Sequence, residues 1–261
     1  MIMDAVILAG SVPSYEDPLY LYTQGQAKAM IDIAGKPMVQ WVLDALGGAN
    51  DVDYVLVIGL NSDCDLTCDK PLHFIPDQGD LLQNAMAGLQ YTRARNPNAD
   101  HVLFTSSDIP TVTSEMIDWR IEQTQKHMQD IHFTVVERQT METRFPDANR
   151  SYVKLKDYEL CGGDLHFARP ALVEEDEIWG RLIAARKNAL KQASLLGFDL
   201  LLLLLLGRMT LKDAERRVSE RLGVNGQACI SPYAELAMDV DKPHQLEIVR
   251  QELSKKSIPT T

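Results

Sequence analysis

Aspartates occur in two short segments whose spacing suits metal binding. Asp108 lies in Ser106–Pro110, directly after a buried apolar run that predicts a strand. Asp239 and Asp241 are two residues apart, so both carboxylates point to the same side of an extended segment. Carboxylate oxygens are favoured ligands of Mg²⁺ and Mn²⁺, and an ion held this way can neutralise a phosphate. Structural explanations stay open, because Asp108 can form a turn or cap the next helix, and Asp241 can cap the helix that begins near Pro243.

A glycine and two lysines near the N-terminus suit phosphate binding. Gly10 follows the first apolar run, where a backbone without a side chain lets amide groups approach a phosphate. Lys28 and Lys36 are the only basic residues before Lys70. Each lysine alone is more often a solvated surface residue, so the chemistry depends on whether the fold brings them to the aspartates.

The overall charge makes a local cation necessary for any nucleotide site. Formal net charge is -11 and the isoelectric point is about 5.0. Such a surface repels polyphosphate backbones, which disfavours a nucleic-acid partner. An anionic nucleotide would need Lys, Arg or a bound cation at its site.

Alternating apolar and amphipathic segments predict the elements that carry these residues. The predicted strands are Ala5–Leu8, Val52–Ile58, Leu72–Ile75, His101–Thr105, Ile131–Glu137, Tyr152–Leu155, Glu159–Phe167 and Gln227–Ile230. The predicted helices are Pro37–Leu46, Leu81–Arg95, Ser114–His127, an almost wholly helical stretch Glu174–Leu222, and Pro243–Leu253. Apolar strands alternating with helices indicate an α/β, Rossmann-like fold, with a mainly parallel sheet covered on both faces.

This fold places the candidate residues at one edge. In open α/β sheets, ligands bind beyond the carboxyl ends of the strands, which selects the loops Gly10–Lys28, Asp77–Asp80 and Ser106–Pro110. We expect one domain over residues 1–261, with a helical insertion at residues 170–224. The apolar run Leu195–Leu206 is shorter than the roughly 20 residues that span a bilayer, so it predicts a buried helix.

The cellular location is predicted from two further features. The four cysteines lack the spacing of a zinc site and are expected to be reduced thiols. The N-terminus has no basic region followed by a signal-like apolar stretch. We therefore expect a cytoplasmic protein with no membrane partner, and the sequence leaves its oligomeric state open.

Five motifs, in order, resemble the nucleotidyltransferase superfamily that includes sugar-phosphate nucleotidyltransferases and molybdenum-cofactor guanylyltransferases. They are Ala5–Gly10, Lys28–Met30, Gly35–Met38, Ser107–Pro110 and Asp239–Pro243, with a further match at Cys161–Asp164. The resemblance implies a GT-A-like nucleotidyltransferase fold and transfer of a nucleoside monophosphate from a nucleoside triphosphate to a phosphorylated acceptor, with release of pyrophosphate.

The same resemblance implies roles for individual residues. Lys28 and Asp108 would be catalytic, and Mg²⁺ or Mn²⁺ would be held by Asp108 with Asp239 or Asp241. The nucleotide would contact Ala9, Gly10, Ser11, Lys28, Gln78 and Gly79. The acceptor would contact Gly162, Gly163 and Asp164, although the two glycines could equally form only a turn. A phosphate nucleophile is already anionic, so the reaction needs no general base, and the six histidines are expected to be structural or on the surface.

One departure from the family pattern keeps other functions open. Ser11 and Val12 follow Gly10 where the family has further glycine, and no arginine precedes Arg93. Basic residues elsewhere would have to compensate, and the candidates are Arg138, Arg144, Arg150, Arg181, Arg186, Lys187 and Lys191. The alternatives are a nucleotide-sugar glycosyltransferase of related fold, which would release a nucleoside diphosphate, and a nucleotide-binding protein without turnover.

Overall fold

The computed structural model describes residues 2–127, 129–175 and 207–256. Its strands are β1 Met3–Leu8, β2 Asp32–Ile33, β3 Lys36–Pro37, β4 Val52–Ile58, β5 Leu72–Ile75, β6 Val102–Ser106, β7 Ile131–Glu137, β8 Val153–Lys154, β9 Glu159–Gly162, β10 Leu165–Ala168 and β11 Gly226–Ser231. The α-helices are α1 Tyr20–Thr23, α2 Met38–Gly48, α3 Leu81–Arg95, α4 Ser114–Gln125, α5 Arg138–Arg144, α6 Leu211–Leu222 and α7 Pro243–Lys256. Short 3₁₀ helices occur at Lys28–Met30, Pro170–Glu174 and Ala234–Ala237.

Nine of these strands form one sheet within the described residues. Its order is β5-β4-β1-β6-β10-β7-β9-β8, and β11 pairs with β7 on the other side. The pairs β5-β4, β4-β1, β1-β6 and β7-β11 are parallel, whereas β8, β9 and β10 run antiparallel to their neighbours. The predicted Rossmann-like, mainly parallel sheet is therefore confirmed.

Alternate side chains of the central strands supply two separate cores. Ala5 and Ile7 of β1 face one side, where they share a cluster with residues of α2 and α4. Val6 faces the other side and packs with Leu89 of α3. Helices thus cover both faces, as the apolar strands predicted.

The predicted strand Glu159–Phe167 is wrong as one continuous element. β9 and β10 both pair antiparallel with β7, but their registers differ by two residues, so Gly163 and Asp164 form a bulge between them. The two amides have different partners: Gly163 N donates to Thr134 O of β7 at 3.0 Å, whereas Asp164 N donates to Leu236 O, outside the sheet, at 2.8 Å. A bulge of this kind redirects a side chain, and it places Asp164 at the carboxyl end of β6.

Several other boundaries differ from the sequence prediction. Helix α4 ends at Gln125 instead of His127, and α2 begins at Met38, one residue after Pro37. The hairpin β2-β3 and the helices α1 and α5 were not predicted. Most of the predicted helical insertion, including the run Leu195–Leu206, lies outside the described residues; its described part contains α6, capped by the Thr210 side chain and ended by Gly223 in a left-handed conformation.

Candidate active site

Three loops meet beyond the carboxyl ends of β1, β4 and β5. Gly59 has φ +105°, and a Cβ added there would lie 2.2 Å from the Gly10 backbone. A Cβ added to Gly10 would lie 2.4 Å from Asp77 Oδ1. Both positions therefore need glycine because backbone and side chains approach too closely for any larger residue. The requirement at Gly59 was not found from the sequence, where nothing marks one glycine after a strand as different from another.

The loop of Asp77 is held by a buried asparagine. Asn84 of α3 is 4% exposed; its Nδ2 donates to Asp77 Oδ1 at 2.8 Å and its Oδ1 accepts from Gln78 N at 2.8 Å. Gly79 follows with φ +107°, and its amide donates to Asp77 Oδ2 at 3.1 Å. The predicted nucleotide-side residues Gly10, Gln78 and Gly79 thus belong to one set of connected loops, and Asn84 is an addition to that set.

Lys28 is positioned by its backbone and its side chain together. Its amide donates to Ser11 O at 2.9 Å, which closes the long loop that follows β1 and Ala9. Its ammonium Nζ donates to Asp108 Oδ2 and Asp241 Oδ1, each at 2.5 Å. The side chain is only 9% exposed. Burial acts to lower the pKa of Lys28, but the attraction of Asp108 and Asp241 outweighs it and raises that pKa.

Backbone hydrogen bonds connect the two acidic segments. Val240 N donates to Asp108 O at 2.9 Å, and Ser107 N donates to Leu8 O at 3.2 Å. Asp241 N is in turn held by Gln245 Oε1 of α7 at 2.9 Å. The structure therefore brings Asp108 next to the segment of Asp239 and Asp241, although more than 100 residues lie between Asp108 and that segment. The cap of α4 is Thr113, so the alternative of Asp108 as a helix cap does not apply.

Arg150 is the second cation of the site. Its guanidinium forms an ion pair with Asp239, and both side chains are largely buried. Of the other candidate arginines, Arg138 pairs with Glu142 and Glu159, and Arg144 pairs with Glu235 and Glu252. Arg181, Arg186, Lys187 and Lys191 lie outside the described residues. Arg150 is thus the one arginine among those described candidates that contacts an aspartate of the site.

The carboxylates influence one another strongly. The pKa of Asp164 is raised well above its usual value by burial and by the negative charges of Asp108 and Asp239. Burial and a hydrogen bond with Asp241 raise the pKa of Asp239. Burial acts to raise the pKa of Asp241 as well, but the hydrogen bond from Asp239 and the contact with Lys28 outweigh it and lower that pKa. Even with Asp164 protonated, the carboxylates of Asp108, Asp239 and Asp241 outnumber the two cations and leave an excess of negative charge that would attract a further cation.

The carboxylates fit a divalent cation in their chemistry and in one specific contact. Oδ1 of Asp108 is buried and has no hydrogen-bond partner among the described residues. An unpaired carboxylate oxygen in such a place is costly, and a hard cation such as Mg²⁺ would satisfy it. Within the described ranges, no three acidic, histidine or cysteine side chains already surround a common point at ligand distance, because Lys28 spans Asp108 and Asp241.

The predicted acceptor residues differ in their surroundings. A Cβ added to Gly162 would meet nothing within 4 Å, so this backbone borders open space. A Cβ added to Gly163 would lie 2.8 Å from Leu236 O and 3.1 Å from Thr134 Cγ2. Packing within the protein therefore explains the glycine at 163, whereas open access remains at 162.

Comparison with known proteins places this fold among nucleotidyltransferases. A hypothetical transferase from Thermus thermophilus is 32% identical, with a TM-score of 0.81 over 94% of this chain and all of the other. A synthetase of CMP:2-keto-3-deoxy-manno-octonic acid in complex with CTP is 13% identical, with a TM-score of 0.60 over 97% of this chain and 99% of the other. A 4-diphosphocytidyl-2C-methyl-D-erythritol synthase from Anaerococcus prevotii is 11% identical, with a TM-score of 0.60 over 97% and 96%. At 13% and 11% identity, the likeness to the last two structures shows that this chain shares their fold. A comparison with curated protein sequences finds no significant match.

The family follows from the sequence match. Residues 5–198 match the model of the MobA-like NTP transferase domain, and the chain belongs to that family. The superfamily indicated by the five motifs is thereby confirmed, and the protein is an enzyme of the nucleotidyltransferase class. Within the described residues, no helix has the length and apolar character needed to cross a membrane.

Proposed function

We propose that this protein transfers a nucleoside monophosphate from a nucleoside triphosphate to a phosphorylated acceptor, with Mg²⁺ or Mn²⁺ as cofactor. The observation that carries the proposal is the bridge of Lys28 Nζ between Asp108 and Asp241, at the carboxyl ends of the parallel strands. A buried cation beside acidic metal-ligand candidates suits a triphosphate, whose charge must be neutralised before an anionic nucleophile can approach.

In this reaction an oxygen of the acceptor phosphate attacks the α-phosphorus of the triphosphate. The new P–O bond forms as the bond between the α-phosphorus and the bridging oxygen breaks, and that oxygen leaves on pyrophosphate. Neither step oxidises or reduces a group, and the nucleophile has no proton to lose. The protein therefore contributes position and charge compensation.

Each part of the site has a role in the proposal. Gly10 and Ser11, after Ala9, would present backbone to the triphosphate, and the loop of Gln78 and Gly79 would lie towards the nucleoside. Asp108, with Asp239 or Asp241, would hold the divalent ion. That ion would supply charge neutralisation at the phosphate oxygens.

The acceptor would be received on the opposite side of the carboxylates. Gly162 borders open space there, and Asp164 lies within the same charged group, with a raised pKa that favours its protonated form. A protonated carboxyl group can donate a hydrogen bond to an acceptor hydroxyl or phosphate oxygen. Gly163 would act through the bulge that positions Asp164.

The test measures pyrophosphate release with Mg²⁺ for the four common nucleoside triphosphates and a panel of phosphorylated acceptors. Asp108→Asn keeps the size of the side chain and removes its charge. Asp118→Asn is the matched control, because the Asp118 carboxylate lies away from the site and accepts hydrogen bonds from Asn50. We expect acceptor-dependent release that Asp108→Asn lowers at least 100-fold and Asp118→Asn leaves within twofold.

Three results would count against this function. Release that is equal in wild type and Asp108→Asn would exclude the proposed site. Release of nucleoside diphosphate from a sugar nucleotide would indicate a glycosyltransferase instead. Nucleotide binding without turnover, for every triphosphate and acceptor, would indicate a binding protein.

A further inference from the structure

Arg150 has the geometry of a residue that binds an anionic ligand, a role that the proposed function does not assign to it. Arg150 follows Ala148 and Asn149. Hydrogen bonds to the Ala148 carbonyl and the backbone turn at Asn149 fix the position of this segment. Ala148 O accepts hydrogen bonds from His244 Nε2 and Gln245 Nε2 of α7, each at 3.2 Å. Asn149 takes a left-handed conformation with φ 51°, which turns the chain before Arg150. The guanidinium is therefore held on a fixed segment.

The guanidinium is bound incompletely. One terminal nitrogen pairs with Asp239, and the other donates to Gly162 O at a long 3.4 Å. Nε is buried and has no hydrogen-bond partner among the described residues. An arginine offers five N–H donors in a planar fork, so this one keeps capacity for an anion with several oxygens.

Its surroundings indicate the side from which an anion would come. Gly162 borders open space, and the guanidinium contacts its carbonyl. Lys28, the other cation, is tied through its amide to Ser11 and belongs to the loop after β1. The two cations thus lie on different segments of the site: one with the proposed nucleotide loop, the other with the proposed acceptor residues.

The partner of Arg150 gives a second physical reason for an anion at this place. Asp239 is one of the proposed ion ligands, so any ion that it holds would compete with Arg150 for the same carboxylate. A largely buried guanidinium that loses its counter-charge is costly, and another anion nearby would restore the balance. A phosphate group on the acceptor has the charge and the oxygens for this purpose.

We propose that Arg150 binds the phosphate monoester of the acceptor and so selects phosphorylated over unphosphorylated acceptors. This inference rests on the proposed function for the identity of the ligand as an acceptor. Binding of the phosphate by Arg150 can nevertheless be measured without turnover, which separates the two ideas.

The first measurement is isothermal titration calorimetry of the protein with two phosphate monoesters, glycerol 3-phosphate and glucose 1-phosphate. Mg²⁺ and a non-hydrolysable nucleoside triphosphate are present throughout. The variants are Arg150→Gln and Arg150→Lys. Arg138→Gln is the matched control, because Arg138 is a half-exposed arginine that pairs with Glu142 and Glu159 and not with an aspartate of the site. We expect at least a tenfold loss of monoester affinity in Arg150→Gln and a smaller loss in Arg150→Lys. Triphosphate affinity should change less than twofold in all three.

A second variant guards against a purely structural effect. Arg150→Gln leaves the buried Asp239 without its partner and can lower the melting temperature. Arg150→Gln combined with Asp239→Asn removes both charges and should recover the melting temperature, but it should not recover monoester binding. Recovery of both would show that Arg150 only neutralises Asp239 and would overturn the inference.

The remaining outcomes are decisive as well. Monoester binding that is unchanged in Arg150→Gln, or absent from wild type, would overturn the inference even if pyrophosphate release is observed. Arg150-dependent monoester binding without pyrophosphate release from any pair of substrates would support the inference and count against the proposed function. If turnover occurs, the KM for the acceptor should rise at least tenfold in Arg150→Gln while the KM for the triphosphate stays within twofold.

Discussion

Replacement of Lys28 by methionine tests the charge arrangement at the centre of the site. Methionine has nearly the length of lysine but no charge, so Lys28→Met removes the cation between Asp108 and Asp241 with little loss of volume. Breaking one partner of a buried ion pair costs about 3–5 kcal/mol because a charge is left buried without compensation. Lys28 and Asp108 are 9% and 16% exposed, whereas Asp241 is 56% exposed and partly screened by water. We therefore expect a loss of roughly 3 kcal/mol in the free energy of unfolding, at the lower end of that range.

The chain contains a control with the same geometry and different burial. Lys36 Nζ lies 2.5 Å from Asp44 Oδ2, the same distance as in the site, but both side chains are more than 40% exposed. Pairs of this kind contribute about 0–1 kcal/mol, so Lys36→Met should change stability by less than 1 kcal/mol. The assay is urea unfolding followed by circular dichroism, without divalent ions. For a chain of this size, the Lys28→Met loss corresponds to a fall of roughly 6–12 °C in the melting temperature.

Two further results would refine or refute this reasoning. Asp108→Asn in the Lys28→Met background should recover part of the lost stability, because the buried charge is removed with its partner. Mg²⁺ should raise the melting temperature of Lys28→Met more than that of wild type, since the variant presents uncompensated carboxylates. Equal losses of stability in Lys28→Met and Lys36→Met would show that burial does not determine the cost of losing the lysine charge.

The remaining predictions concern close packing and pH. Gly59→Ala should lower the free energy of unfolding by about 2 kcal/mol or more and weaken triphosphate binding, because the new Cβ would overlap the Gly10 backbone. Gly162 borders open space, so Gly162→Ala is the matched control. It should change the free energy of unfolding by less than about 1 kcal/mol in the same urea assay. Burial, with the charge of Arg120, lowers the pKa of both His132 and His166 to about 4 from the usual 6.5. The unfolded chain therefore binds protons at a higher pH than the folded protein does. The contribution of these histidines to the free energy of unfolding is fully present above about pH 6.5 and is lost as the pH falls from about 6.5 to 4. The loss is about 2 kcal/mol per histidine at pH 5. Urea unfolding from pH 7 to 5 checks this, and His132→Gln should flatten the profile; an unchanged slope in that variant would contradict it.

The sequence predicted most of the parallel sheet because its strands are long and apolar. β4, β5 and β7 begin and end where the runs Val52–Ile58, Leu72–Ile75 and Ile131–Glu137 do. A strand that is buried on both faces leaves a continuous apolar run, which is a strong local signal. The carboxyl-end rule then located Asp108 correctly at the sheet edge, and the family resemblance supplied the order of the motifs.

The missed features have no local signal of that kind. The two-residue strands β2 and β3 are too short to show a period, and α1 lies in a loop whose composition predicts irregular structure. The bulge before β10 depends on hydrogen bonds from Gly163 and Asp164 to residues far away in the chain. The pairing of Arg150 with Asp239 is likewise a contact across the fold, so the sequence could offer Arg150 only as one of several basic candidates.

The hydrogen bond from Lys28 N to Ser11 O leaves the exposed tip of the intervening loop free to change. Both ends of the loop are fixed by this contact, and the ammonium of Lys28 is fixed by carboxylates from elsewhere, so the position of the cation does not depend on the exposed residues at 14–16. The entropy of closing a loop grows only slowly with its length, about 0.6 kcal/mol for each doubling. The exposed residues at 14–16 can therefore diverge in length and composition among descendants of this gene while the charge arrangement is inherited unchanged, whereas Leu19 is buried in the core and constrains the rest of the loop. The same property offers protein engineers a place to graft a binding loop beside an intact catalytic core.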